Sequence, residues 1–138
     1  MPFLPEQLIH NPALYSPLAL AFVGDGVYEL FVRTRLAIEG NAQAAKLHVR
    51  AIRFVKAKAQ ARSAHLLADK LTEQETAIYK RGRNAKSQTV PKHAELADYR
   101  AATGLEALFG YLYLKGEQQR LDELMGMAYD AAILELDK

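Results

Sequence analysis

Two carboxylates stand inside apolar helical stretches, Asp25 in LAFVGDGVYEL and Glu106 in TGLEALFGYLYL. A carboxylate among packed apolar side chains is costly unless it is hydrated, paired or metal-bound. Asp25 lies between Gly24 and Gly26. Each glycine costs a helix about 1 kcal/mol relative to alanine, a cost that close approach of a second helix or a ligand would justify. In the second segment Thr103, Glu106, Gly110 and Tyr113 share a face opposite Leu105, Phe109 and Leu112. If the two small-residue faces meet, both carboxylates surround one hydrated Mg²⁺, a cation that takes few protein ligands and keeps its waters. Mn²⁺ could substitute. Such an ion generates hydroxide and stabilises charge on a transferring phosphoryl group. The competing reading, two solvated or salt-bridged helix residues, is slightly favoured by spacing alone. Glu29, one turn after Asp25, could join the site, but its better match is Arg33 at i+4.

Between the two acids the charge is lopsided. Residues 46–93 carry 12 Lys/Arg against 3 Asp/Glu, a net +9, and the rest of the chain sums to −7. That describes a basic face rather than a uniformly basic protein. Lys80, Arg81, Arg83, Lys86 and Lys92 fall within 13 residues that hold no acid, with Asn84, Ser87, Gln88 and Thr89 as further hydrogen-bonding groups. This donor-rich tract suits phosphate contacts, which position a nucleic acid without reading its sequence. Lys46, Arg50, Arg53, Lys58 and Arg62 could extend the surface. An ordinary solvated charged face is an equal competitor. The four histidines match no metal-ligand spacing, and no histidine-centred nucleophile is present.

These groups need a scaffold. The chain has 138 residues, enough for one domain with a real core, and its 50% apolar content argues against disorder. No apolar run approaches a membrane span. The first residues, MPFLPEQLIHNP, do not resemble a signal peptide, and the absence of Cys excludes disulfides and thiolate zinc sites. A cytoplasmic protein without membrane contact is expected.

Helix formers dominate, so the expected fold is all-α, a single domain over 1–138. Ser16-Pro17 reads as an N-cap with Pro at the first helical position, opening a helix over 17–39 that Gly40-Asn41 ends. One face carries Leu20, Val23, Val27, Leu30 and Phe31. Another carries Ala21, Asp25, Tyr28 and Val32. Two apolar faces predict a central helix. A second helix is predicted over 42–68, burying Leu47, Ala51, Phe54 and Val55. Thr72 with Glu75 predicts a capping box for a third helix that dissolves near Gly82. Residues 83–92 read as a loop, 93–114 as a fourth helix and 118–135 as a last one.

LAFVGDGVYELFVR resembles the signature helix of the ribonuclease III catalytic domain, and TGLEALFGYLYL its second acidic segment. RGRNAKSQTVPKH resembles the loop of the Mini-III subfamily, the catalytic domain without an attached double-stranded-RNA-binding domain. The resemblance runs from about Pro12 to Leu134. It implies an all-helical homodimer that cleaves double-stranded RNA with Mg²⁺, leaving a 5′-phosphate and a 3′-hydroxyl. It further implies a role in maturing the large-subunit ribosomal RNA precursor, with a ribosomal protein as a candidate assistant in presenting it. The metal-binding aspartate and glutamate of the family fall on Asp25 and Glu106. Two further acids of the typical enzyme are replaced by Ala21 and Thr103, a reduced set shared by the subfamily. Those losses weaken the expectation of a tightly held second metal. They also leave a second reading open, a non-catalytic duplex-RNA-binding or ribosome-associated protein on the same fold.

Overall fold

The computed structural model describes residues 11–86 and 95–136. Among them every regular element is helical: α1 (Pro17–Glu39), α2 (Ala44–Val55), α3 (Ala57–Leu67), α4 (Glu73–Asn84), α5 (Leu96–Lys115) and α6 (Gln118–Leu136). Short 3₁₀ turns, Pro12–Leu14 and Ala68–Lys70, precede α1 and follow α3.

α5 is the axis of the fold. Twelve of its residues are buried, from Ala101 through Tyr113 with Glu106 as the gap, and α1, α3, α4 and α6 pack around it. α1 opens as its sequence predicts. The Ser16 hydroxyl accepts from the Ala19 N–H at 3.1 Å, and Pro17 occupies the first turn. The faces of α1 divide unequally. Leu20, Ala21, Gly24, Tyr28, Val32 and Leu36 are buried, and Tyr28 packs on Phe109 with ring centroids 5.2 Å apart. On the other face Val23, Val27 and Phe31 are half-buried, and Leu30 is 61% exposed. α1 is central, but one of its apolar faces lacks cover within the described chain.

The helix predicted over 42–68 is two helices. Lys56 adopts an extended conformation (φ −64°, ψ 152°), ending α2 and starting α3. AIRFVKAKAQA is made of good helix formers and contains neither Gly nor Pro, so nothing local announces the break. Packing sets it, because α2 lies against α1 while α3 turns onto α5 and α6.

The capping box on α4 is present, with Thr72 N–H donating to Glu75 at 2.9 Å and Glu75 N–H to the Thr72 hydroxyl at 3.1 Å. Glu75 also receives two charged bonds from Arg120, at 2.8 and 2.9 Å, while Arg120 donates to the Lys70 carbonyl. The Arg120 guanidinium holds this buried carboxyl below its usual range. α4 continues through Gly82 to Asn84 because Gly82 packs on α5, where an added Cβ would lie 2.7 Å from the Ala107 Cβ and 2.9 Å from Gly104. Arg83 and Asn84 therefore belong to the last helical turn, not to a loop. α5 begins at Leu96, after Glu95 in an extended conformation, rather than at residue 93. Its end is a Schellman motif at Gly116 (φ 82°), with Gly116 and Glu117 N–H groups donating to the Tyr113 and Leu112 carbonyls.

Candidate active site

The position of the two acids is set by glycine. A Cβ added at Gly24 would fall 1.7 Å from the Glu106 carbonyl oxygen, and one at Gly110 would fall 1.9 Å from the Leu20 carbonyl oxygen. Only hydrogen at both positions lets α1 and α5 touch backbone to backbone. Gly26 has no such neighbour, with nothing within 4 Å of its Cβ position. The close-approach expectation therefore holds for one flanking glycine and not for the other.

This contact brings the Asp25 and Glu106 side chains within hydrogen-bonding reach of each other. Asp25 is exposed and Glu106 half-buried. Burial, then the hydrogen bond and negative charge of Asp25, push the Glu106 carboxyl up to about 8 from an ordinary 4.5. Glu29 adds to the push, and a hydrogen bond from Gln60 opposes it. Two like-charged groups pressed together in a partly dry cleft must share either a proton or a cation. A small hard cation that keeps most of its waters fits this pair of oxygen donors. Among the described residues no group of three or more acids or histidines forms a complete protein cage.

The neighbouring positions are occupied otherwise. Ala21 is buried. Thr103 donates its hydroxyl to the Tyr99 carbonyl at 2.9 Å. Glu29 pairs with Arg33 at 2.9 Å, as its spacing predicts. Gln60, which the sequence reading passes over, is 2% exposed and donates to Glu106 at 3.4 Å and to the Val55 carbonyl at 2.7 Å. A lone amide in the small-residue run AKAQARSA was the available signal.

The basic residues lie in two places, at the α4 C-terminus beside α5 and on α2, where Arg50 lies by Gly40 at the far end of α1 and Arg53 lines a cavity with Arg62 and Glu135. The α4 C-terminus lies against α5 at Gly82, Gly104 and the Thr103 carbonyl, one turn before Glu106. Lys80 and Lys86 are exposed there. Arg83 lies half-buried over the Tyr79 ring and bonds to Asn84 at 3.3 Å. Arg81 is partly committed elsewhere, donating to the Ala13 carbonyl at 2.8 Å and to the Tyr15 carbonyl at 3.3 Å, which anchors the segment before α1. Ser87 and Lys92 lie outside the described residues. Arg50 and Arg53 are exposed on α2. A polar cavity of about 270 Å³ between α4 and α5 is lined by Lys86, Tyr99, Arg100 and Thr103, which adds Arg100 to the cations near the site. No described helix is long and apolar enough to cross a membrane.

Residues 18–117 match the ribonuclease III domain family. The chain is 50% identical over 120 residues to Mini-ribonuclease 3 of Symbiobacterium thermophilum, covering 87% of this chain and 92% of that protein. It is 46% identical over 124 residues to Mini-ribonuclease 3 of Brevibacillus brevis, covering 90% and 92%. A crystal structure of a Fusobacterium nucleatum protein superposes with a TM-score of 0.77 at 29% identity, covering 85% of this chain and 93% of that one. An all-helical architecture seamed at α1 and α5, together with these likenesses, places the chain in the ribonuclease III family, in its Mini-ribonuclease 3 branch.

Proposed function

We propose that this protein is a metal-dependent endonuclease that hydrolyses phosphodiester bonds of double-stranded RNA, with the large-subunit ribosomal RNA precursor in the cytoplasm as its substrate. The observation that carries the reading is the forced pairing of Asp25 and Glu106, which raises Glu106 to about 8 in the metal-free protein. Asp25 and Glu106 would hold Mg²⁺, or Mn²⁺ in its place. When bound, the ion activates water and offsets charge on the phosphoryl group under attack. Glu106 would have to be deprotonated to serve as a ligand, so cation binding would weaken as pH falls below about 8. Lys80, Arg83, Lys86 and Arg100 beside the α4–α5 packing, with Arg50 and Arg53 on α2, would hold the duplex through its phosphates.

The enzyme would work as a homodimer. Phe22 is 83% exposed on α1, beside a cavity of about 510 Å³ whose lining includes Val23, Val27, Leu30, Phe31, Tyr113 and Met125. An apolar knob next to an apolar socket on one surface is self-complementary about a two-fold axis. Two copies of the Asp25–Glu106 site would then serve the two strands. Presentation of the precursor by a ribosomal protein is part of the same proposal.

The test uses Asp25→Asn and Glu106→Gln, which keep shape and replace a carboxylate oxygen donor by an amide nitrogen. Each is expected to lose duplex-RNA cleavage by at least about a hundredfold while retaining helicity and duplex binding. Unchanged cleavage in either variant at saturating Mg²⁺ would place the chemistry elsewhere. Arg83→Ala combined with Lys86→Ala should weaken binding to duplexes of any sequence. It should also lower the slope of log K against log salt by about 1 to 2. An unchanged slope and affinity would move the duplex to the α2 surface.

A further inference from the structure

Gln60 lies in the second turn of α3, almost wholly buried, where α2, α3 and α5 meet. Its backbone N–H makes an ordinary first-turn bond to the Lys56 carbonyl at 3.1 Å. Its side chain turns back to the preceding helix. Nε2 donates to the Val55 carbonyl at 2.7 Å, one of the α2 carbonyls that the break at Lys56 deprives of a helical donor. The same nitrogen reaches Glu106 Oε2 at 3.4 Å. Both partners are acceptors, so the orientation of the amide is fixed by its surroundings. Its oxygen, Oε1, is buried and has no hydrogen-bond partner among the described residues. A helix cap alone would be served by the Val55 bond. It would not call for a second contact with an acid across the fold.

We propose that Gln60 is a positioning residue for the cation site, holding the Glu106 carboxylate toward Asp25 from the α2–α3 joint. This rests on the assignment of Asp25 and Glu106 as ligands. The amide gives the Glu106 carboxylate a donor at 3.4 Å on the side of the α2–α3 joint, which limits the directions in which that carboxylate can turn. It also ties that carboxylate to the break from which α2, with Arg50 and Arg53, departs. Groups that orient a metal ligand are commonly worth tenfold to a hundredfold in metal affinity.

Mn²⁺ binding would be measured by titration calorimetry on the whole protein, comparing wild type, Gln60→Leu and Asp25→Asn. Melting in EDTA would accompany each titration. Gln60→Leu is expected to weaken Mn²⁺ binding about tenfold or more. Its duplex cleavage should fall at limiting Mg²⁺ and recover at saturating Mg²⁺. A purely capping role would lower the melting temperature and leave Mn²⁺ affinity unchanged, and that result overturns the proposal. In case Gln60→Leu does not fold, the wild-type protein carries its own readout. The assigned side-chain amide signals of Gln60 should move on addition of Mg²⁺, and signals that stay fixed overturn the proposal. If wild type and Asp25→Asn bind Mn²⁺ equally, the ligand assignment itself falls and takes this inference with it. If Asp25→Asn loses binding while Gln60→Leu does not, the role of Gln60 alone fails.

Discussion

Helix α1 meets the rest of the molecule along one face and leaves another apolar and open. On the closed face Gly24 lies against the backbone of Glu106, and Leu20, Tyr28 and Val32 are sealed. On the open face Phe22 and Leu30 stand in solvent beside an apolar cavity, and Gly26 touches nothing. The two glycines flank one aspartate and differ completely in what they do. Gly24 is required by contact inside the chain. Gly26 borders the open face, where the described residues supply no partner. Apolar periodicity describes both faces alike, and only the second helix tells them apart.

The sharpest way to break the contrast is to add one methyl group to each side. Gly110→Ala would push against the Leu20 carbonyl and force α1 from α5, an overpacking cost of about 3 kcal/mol. Gly26→Ala meets no atom and should stabilise the dilute protomer by about 1 kcal/mol through helix propensity. Chemical denaturation midpoints measure both. Equal effects would mean that the seam is looser than its geometry.

A second test titrates the closed face. Without metal, Glu106 holds its proton up to about pH 8 in the folded state and releases it near 4.5 when unfolded. Between these values the native state binds more protons, so stability falls as pH rises through that window and levels above it. Glu106→Gln lacks this dependence. In EDTA its melting temperature should exceed that of wild type by several degrees at about pH 9, with the gap closing toward about pH 5. Parallel melting curves across that range would show Glu106 to be fully solvated.

The open face gives the smallest change in protomer stability and the clearest change in mass. Phe22→Glu exchanges an exposed ring for a charge, so it should leave the melting of the dilute protomer within about 0.5 kcal/mol of wild type. Sedimentation equilibrium at micromolar concentration should give about twice 15.4 kDa for wild type and the single mass for the variant. A wild-type protein that sediments as a monomer would remove the two-strand part of the proposed mechanism.

Local chemistry explains which features were legible in the sequence. Ser16-Pro17, the Thr72–Glu75 box and the Glu29–Arg33 pair are each specified within four residues, and each stands where it was expected. The small neighbour of each acid on its own face made the juxtaposition of Asp25 and Glu106 legible only as an alternative, since spacing alone slightly favours two solvated or salt-bridged residues. The break at Lys56 was not readable, since it is imposed by the demands of α1 on one side and α5 on the other. For the same reason Gln60 was missed, because its importance arises from a carbonyl freed by that break. Arg81 looked like one more cation of a binding tract until the carbonyls of Ala13 and Tyr15 came into view.

The seam between α1 and α5 also sets the order in which the candidate site is assembled. Its two sides are far apart in the chain, with α2, α3 and α4 made in between. Contacts of such long sequence separation form late, after the intervening loop entropy has been overcome. A chain emerging from the ribosome with α1 complete therefore exposes Asp25 without its counterpart. The paired acids come together only when α5 has followed. Synthesis thus holds the two acids apart until the residues that carry Glu106 have been made.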